Sequence, residues 1–398
     1  MSLSADQTFA SSFNQRFAGL LTNAEQFIPD LASLILREAR IARASDVHLT
    51  PGTNALDMHW RIDGVLHRIA GFDRETAGRL VARLKVLAGL LTYRTDIPQE
   101  GRVSRELFDG EIRIATFPLL HGERAVVRLF ADHGQLQRIE DLGMQQQSAE
   151  LLQEQLQNTS GVILICGPSG SGKTTTAYAC LRELVASSAG SRCVMTLEDP
   201  VEMAIPGVSQ AQVKPAVGFD LSTGVRSLMR QDPDVILVGE VRDAETAEAA
   251  FQAALTGHLV LTTFHAGTAV EAVTRLGEMN LEPALIRSVL RLVICQRLLR
   301  QNCHDCTRSE SHAQDCAAAC ERCGGTGYHG RFLLTEDLDP QHEQVARAIL
   351  NRVDAAALRS VVEDSGQADF RKAAAMAVAA GKTSEVEVFR VLGRTPAG

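Results

Sequence analysis

The stretch Val162-Ile-Leu-Ile-Cys166-Gly167-Pro168-Ser169-Gly170-Ser171-Gly172-Lys173-Thr174-Thr175 decides how the rest of the chain is read. Its first five residues are apolar and predict a buried strand, and residues 174 to 186 return to helical spacing. A Gly-x-x-x-x-Gly-Lys-Thr run between a strand and a helix is the context that makes a phosphate-binding loop. Phosphates carry several negative charges, so they need backbone N–H groups converging from a loop that side chains do not obstruct. Gly167, Gly170 and Gly172 permit this. Lys173 then supplies a point charge for the β- and γ-phosphates, and the Thr174 hydroxyl is the candidate Mg²⁺ ligand. Pro168, Ser169, Ser171 and Thr175 complete the cradle.

Downstream, strand-like runs at residues 193–197, 235–238 and 259–263 alternate with helical stretches, which predicts a parallel sheet covered on both faces. The run Asp234-Val-Ile-Leu-Val-Gly239-Glu240 is a buried strand that ends in a carboxylate. Glu240 is the candidate base for the attacking water. Gly239 stands where an Asp is usual, so the carboxylate that assists Mg²⁺ is left open. Two further polar clusters fall at strand ends: Glu198-Asp199-Pro200-Val201-Glu202, and the pair His258 and His265. Carboxylates there suit a second acidic arm for metal or water, because open α/β sheets place ligands at that edge. Glu202 is the catalytic candidate of this cluster, and Glu198 and Asp199 are nucleotide-site candidates together with both histidines. Each has a plainer reading, as a capping acid or a hydrogen-bonded imidazole, and only the nearby phosphate loop weighs against it. Seven residues apart across an extended strand, the two histidines point to opposite faces and are not joint metal ligands.

Working outward, residues 1–25 read as a tail and 26–132 as a small α+β domain. The latter has a helix over 28–44, a strand pair turning at Asp63-Gly64, a helical stretch over 77–91 and a second strand pair. Residues 133–147 form a linker, 148–300 the nucleotide-binding core, 301–330 a cysteine segment and 331–398 a helical region. Cys303-x-x-Cys306 and Cys320-x-x-Cys323, thirteen residues apart, match a tetrathiolate site for structural Zn²⁺. Cys316 is an alternative ligand.

The bulk numbers bound this reading. A chain of 398 residues suggests two or three domains. Apolar residues at 45% and charged residues at 22% describe an ordinary folded protein. A net charge of −8 and 5% aromatics argue against a general nucleic-acid binder. The first residues show no basic stretch followed by an apolar core, so no secretory signal is expected. The apolar runs fall far short of the roughly 20 residues a spanning helix needs, so membrane association is expected to be peripheral. Paired cysteines beside a nucleotide motif fit a reducing, cytoplasmic compartment.

Taken together, the motifs resemble the ATPases of type II secretion and type IV pilus assembly. The run 167–176, the acidic box 197–202, Arg230-Gln-Asp-Pro-Asp-Val-Ile-Leu-Val-Gly-Glu-Val-Arg-Asp243 and Thr256-Gly-His-Leu-Val-Leu-Thr-Thr-Phe-His265 look like that family's Walker A, Asp box, Walker B and His box. Ala44-Ser-Asp-Val-His48, Arg61-Ile-Asp-Gly-Val-Leu66, Pro98-Gln-Glu-Gly-Arg102 and Gly122-Glu-Arg-Ala-Val-Val-Arg128 are similar to its PAS-like N-terminal domain. The resemblance implies a RecA-like P-loop core and a ring, expected to be a hexamer, with nucleotide between the two domains. It also implies that Arg113 and Arg128 reach toward the γ-phosphate, and that inner-membrane secretion or pilus platform proteins are the partners. A four-cysteine segment is found in secretion and pilus-extension members, whereas retraction motors usually lack it. Longer relatives carry an extra N-terminal docking domain, and none is expected in residues 1–25. A retraction or DNA-uptake motor, or a ring scaffold that hydrolyses little, are the other functional readings.

Overall fold

The computed structural model describes residues 6–20, 26–104, 111–129, 138–308, 320–367 and 369–393. They form two compact units, one from residues 1–133 with 300–331 and the other from 134–299 with 332–398. The chain is a RecA-like P-loop α/β protein with a PAS-like α+β domain, a small four-cysteine element and C-terminal helices.

The first unit begins with α1 (Asp6–Ala18), where the sequence predicts a tail. Its Phe13 is buried, packs edge-on against Trp60 at 5.8 Å and stacks on Phe17 at 6.0 Å. Then come α2 (Phe27–Ile41), β1 (Ala44–Pro51), β2 (Ala55–Ile62), β3 (Val65–Asp73), α3 (Arg74–Leu87), β4 (Gln99–Val103), β5 (Ile112–Leu119) and β6 (Gly122–Leu129). The six strands lie in the order β3-β2-β1-β6-β5-β4. Asp63 and Gly64 both take positive φ, 47° and 84°, as the predicted two-residue hairpin requires. Leu31, Ile35, Val47, Leu49, Met58, Trp60, Leu80, Ile114 and Val127 form one core on the helix-covered face of this sheet. Arg61, His48, Arg113 and Arg128 alternate with them and point the other way.

The second unit contains α4 (Gln146–Leu156), β7 (Gly161–Cys166), α5 (Lys173–Ser188), β8 (Val194–Glu198), β9 (Ser209–Gln212), α6 (Leu221–Leu228), β10 (Val235–Val241), α7 (Ala244–Leu255), β11 (Leu259–Phe264), α8 (Ala269–Glu278) and α9 (Pro283–Val289). It continues with β12 (Leu290–Asn302) and, after α10 (His304–Arg308) in the cysteine segment, with β13 (Tyr328–Leu338), α11 (Glu343–Leu350), α12 (Ala355–Asp364), α13 (Phe370–Ala379) and α14 (Glu385–Leu392). The sheet order is β13-β12-β7-β11-β10-β8-β9, and β7, β8, β9, β10, β11 and β12 pair in parallel. β7 and β11 are buried at every residue, as a strand covered on both faces must be. Two differences from the sequence reading stand out. The region from 331 opens on a strand, β13, before its helices. The predicted linker is packed where it is described, with Ile139 fully buried and Leu142 nearly so.

Beside β13, a polar cluster is sealed in. The Ser148 hydroxyl donates to Asp337, and Thr335 donates to Ser148 at 2.7 Å. Among the described residues Asp337 Oδ1 has no hydrogen-bond partner, and burial pushes the carboxyl up to about 6. Burial likewise pushes Glu336 up to about 7, although it accepts the Ala269 N–H at 2.6 Å. Both groups hold a proton in the folded chain at pH values where the unfolded chain has lost it. Their favourable contribution is complete below the ordinary carboxylate range and is lost as pH rises through 6 and 7. Asp337→Asn and Glu336→Gln are therefore expected to flatten the fall in Tm between pH 4.5 and 8. Every tenfold difference in proton affinity between the folded and unfolded chain is worth about 1.4 kcal/mol. Thermal melts of the wild type and both variants across that range measure this, and parallel pH curves would contradict it.

Candidate nucleotide site and thiol cluster

At the end of β7 the chain turns through the glycine loop into α5. Gly167 has φ 149°, and a Cβ there would lie 2.4 Å from Ser171 Oγ and 2.7 Å from the Gln296 carbonyl. No side chain fits between them. Gly172, at φ 94°, occupies the N-cap of α5, and no side chain caps that helix. The first turn of α5 therefore presents bare N–H groups, which together with the helix dipole suit a phosphate. Ser171 Oγ is buried without a partner, and Thr174 and Thr175 make no side-chain hydrogen bond among the described residues. These free polar groups fit a nucleotide with Mg²⁺ on Thr174. Lys173, 9% exposed, donates to the carbonyls of Gly167 at 2.9 Å and Pro168 at 3.2 Å. Burial lowers its pKa, and the carboxylate of Glu240 opposes that shift.

Glu240 is placed by an irregularity in β10. Val238 pairs with Thr262, but Val241 pairs with Phe264, so Gly239 and Glu240 together oppose Thr263. Such a bulge re-aims a side chain. Glu240 Oε1 lies 2.5 Å from His265 Nε2, and Oε2 accepts Arg242 Nε at 2.5 Å. Gly239 explains the missing Asp: a Cβ there would sit 3.2 Å from the Glu198 Cα and 3.3 Å from the Leu197 carbonyl. β8 passes close enough that a side chain there would need its backbone to give by a few tenths of an ångström.

The other candidates divide. His265 follows β11 at the phosphate-loop end of the sheet, where Phe264 pairs with Cys166. His258 precedes the same strand at its opposite end and donates to the Ala253 carbonyl at 2.8 Å, so the geometry keeps it out of the site. Glu198, 4% exposed, accepts hydrogen bonds from Tyr178, from Thr196 at 2.6 Å and from Gln210 at 3.1 Å. It is an organiser of the acidic turn, with its oxygens already engaged. Asp199 and Glu202 are exposed. Sequence reasoning missed Arg242, Tyr178 and Gln296. Fully buried Gln296 donates to Thr176 Oγ1 at 2.7 Å and backs the loop with its carbonyl.

In the other unit, Arg113 and Arg128 are opposed on β5 and β6. Arg113 pairs with Glu111 at 3.0 Å and Arg128 with Asp46 at 3.0 Å.

The four predicted thiols converge. Sγ atoms of Cys303, Cys306, Cys320 and Cys323 all lie within 4.8 Å of one another, with Cys303–Cys320 at 3.9 Å and Cys306–Cys323 at 3.6 Å. Four thiolates at about 2.3 Å from a tetrahedral Zn²⁺ stand about 3.8 Å apart, so the set fits the ion. For Cys320, burial opposes ionisation, but N–H groups of Cys323 and Arg322 and neighbouring thiols outweigh it and lower the pKa. Cys316, the alternative ligand, lies outside the described residues.

Residues 22–390 match the family described as type II/IV secretion system protein. The chain belongs to that family. This type II/IV secretion system protein is 38% identical over 379 residues to the type II secretion system protein E of Aeromonas hydrophila, covering 91% of this chain and 75% of the relative. It is 36% identical to the type IV pilus assembly ATPase PilB of Thermus thermophilus, over 89% of this chain and 42% of that one. Its fold is similar to that of the Legionella pneumophila ATPase DotB, with a TM-score of 0.66 at 22% identity over 92% of this chain and 96% of that one. A pilus retraction motor PilT with bound ADP superposes with a TM-score of 0.60 at 24% identity, over 91% and 96% of the two chains. No helix among the described residues is long and apolar enough to cross a membrane.

Protein prepared under reducing conditions is expected to carry about one zinc ion per chain. Cys303→Ser and Cys320→Ser are expected to lose it, with a fall in Tm. Elemental analysis checks the first expectation and thermal melts the second; metal-free wild type would refute the site.

Proposed function

We propose that this chain is the ATP-hydrolysing subunit of a ring motor, a hexamer by the family resemblance, that powers pseudopilus or pilus subunit assembly. The work is type II protein secretion or type IV pilus extension, at the cytoplasmic face of the inner membrane and through platform proteins there. The observation that carries the reading is the bulge that turns Glu240 to the phosphate-loop end of the sheet, where its charge acts on Lys173. The relatives' names support the motor class, and the four-thiol cluster supports assembly over retraction.

In this reading the N–H groups after Gly172 and the Lys173 ammonium hold the β- and γ-phosphates. The Thr174 hydroxyl would hold Mg²⁺, which would supply charge neutralisation at the phosphate oxygens. Glu240 orients the attacking water and takes its proton as the γ-phosphate leaves to give ADP and phosphate. Each Glu240 oxygen carries one contact in this structure, to His265 and to Arg242, and a carboxylate oxygen accepts a second hydrogen bond, which leaves room for the water. Arg113 and Arg128 supply guanidinium charge for the transferring phosphoryl group. Acidic surface charge speaks against nucleic acid as the load.

Glu240→Gln is expected to bind ATP as tightly as wild type while turnover falls by about 10²–10⁴-fold, the size of a general-base contribution. Nucleotide-binding titrations and phosphate-release assays on the same preparation test this. Wild-type turnover in the variant would remove Glu240 from the mechanism, and Lys173→Ala with full secretion would favour a scaffold.

A further inference from the structure

Five residues on five adjacent strands form one row across the smaller sheet. Arg102 is opposite Arg113, Arg113 opposite Arg128, Arg128 opposite Asp46, and Asp46 opposite Arg61. Directly opposed residues of antiparallel strands share a face, and like charges in that relation repel. Four guanidiniums in line therefore need compensation. Two carboxylates provide it. Glu111 Oε1 lies 3.0 Å from Arg113 Nε and 3.7 Å from Arg102 Nε. Asp46 Oδ1 lies 3.0 Å from Arg128 Nε, while its Oδ2 lies 3.9 Å from Arg61 Nε and accepts Ser45 Oγ at 2.8 Å. Among the described residues, four guanidiniums of the row are set against these two carboxylates.

The grip on Arg128 is specific in kind. Asp46 is buried at 7% exposure, whereas the Arg128 side chain is 62% exposed. The carboxylate takes the Nε–H, the donor nearest the stem, and not the terminal fork. Among the described residues, the two terminal amino groups of Arg128 have no hydrogen-bond partner. A guanidinium offers five N–H donors. One is used to aim the group, and four stay free for an anion. An ordinary surface ion pair gives no reason for the acid to be buried or for the fork to be left open.

We infer that Asp46 is the positioning residue of Arg128, holding it by Nε so that its terminal amino groups are presented to the polyphosphate of the nucleotide. This rests on the reading above that Arg128 serves ATP hydrolysis. Positioning matters because a misplacement of about 1 Å costs up to about a hundredfold in rate. Ser45 and Arg61 fix Asp46 in turn.

The test is a double-mutant cycle in the full-length chain, read as kcat, with Kd for a non-hydrolysable ATP analogue and Tm measured in parallel. Arg128→Ala is expected to lower kcat by about a hundredfold or more. Asp46→Ala is expected to lower it by about tenfold with Kd little changed. Asp46→Asn, which keeps an oxygen for the Nε–H, is expected to recover most of that loss. In the Arg128→Ala background neither Asp46 change should slow turnover further, because nothing remains to be aimed. Independent losses that multiply, or an Asp46→Ala enzyme with normal kcat, would overturn the inference while leaving Arg128's own role standing. If Arg128→Ala turns over normally, the reading of Arg128 fails and the inference falls with it. Should Asp46→Ala fail to fold, Asp46→Asn carries the cycle, with a few-fold loss expected in the wild-type background and none in the other.

Discussion

The nucleotide end of the large sheet depends on how closely its backbones approach one another. At Gly167 the loop passes so near Ser171 and the Gln296 carbonyl that a methyl group would collide with both, and at Gly239 a methyl group would be in tight contact with β8. Close-packed interiors do not deform to admit an extra atom at small cost. These two contacts set where the phosphate loop lies and how far β10 can carry its bulge toward it. The geometry of Glu240, His265 and Lys173 follows from them. The acidic turn obeys the same logic, since Glu198 is buried and its oxygens are spent on Tyr178, Thr196 and Gln210 in shaping the strand end.

Much of this is legible in the sequence. The phosphate loop declares itself because each residue type answers a separate demand of the phosphates, and strand and helix periods flank it. Paired cysteines at fixed spacing announce their cluster for the same reason. What stays hidden depends on register. Arg242 and Gln296 act through which strands lie side by side, and no local pattern encodes that. His258 looks equivalent to His265 until the direction of β11 puts them at opposite ends of the strand. The helix α1 does leave a signal: Phe9, Phe13 and Phe17 recur every four residues, a helical stripe within a polar segment. β12 and β13 are obscured by the cysteine segment that separates them and by the helices that follow.

The two sheets handle charge differently. The large one buries Asp337 and half-buries Glu336, and both carboxyls are raised above their ordinary range. The small one sets arginines across its open face and places acids beneath them. Burying an unpaired charge is expensive, and proton uptake avoids the cost in the first case. In the second, partial pairing leaves a surplus that stays in contact with solvent.

Asp63, at the tip of the β2–β3 hairpin, accepts the Gly330 N–H at 2.8 Å and lies 3.5 Å from Arg43 and 3.8 Å from Arg331. The Phe9 ring rests where a side chain on Gly324 would stand. The unit that opens the chain is thus finished by residues 300–331, which leave the ribosome after nearly all of the ATPase core. Domains usually fold in order of synthesis. Here the core of the first-made unit is complete within residues 9–129, and the later segment adds contacts only at the hairpin tip and at α1.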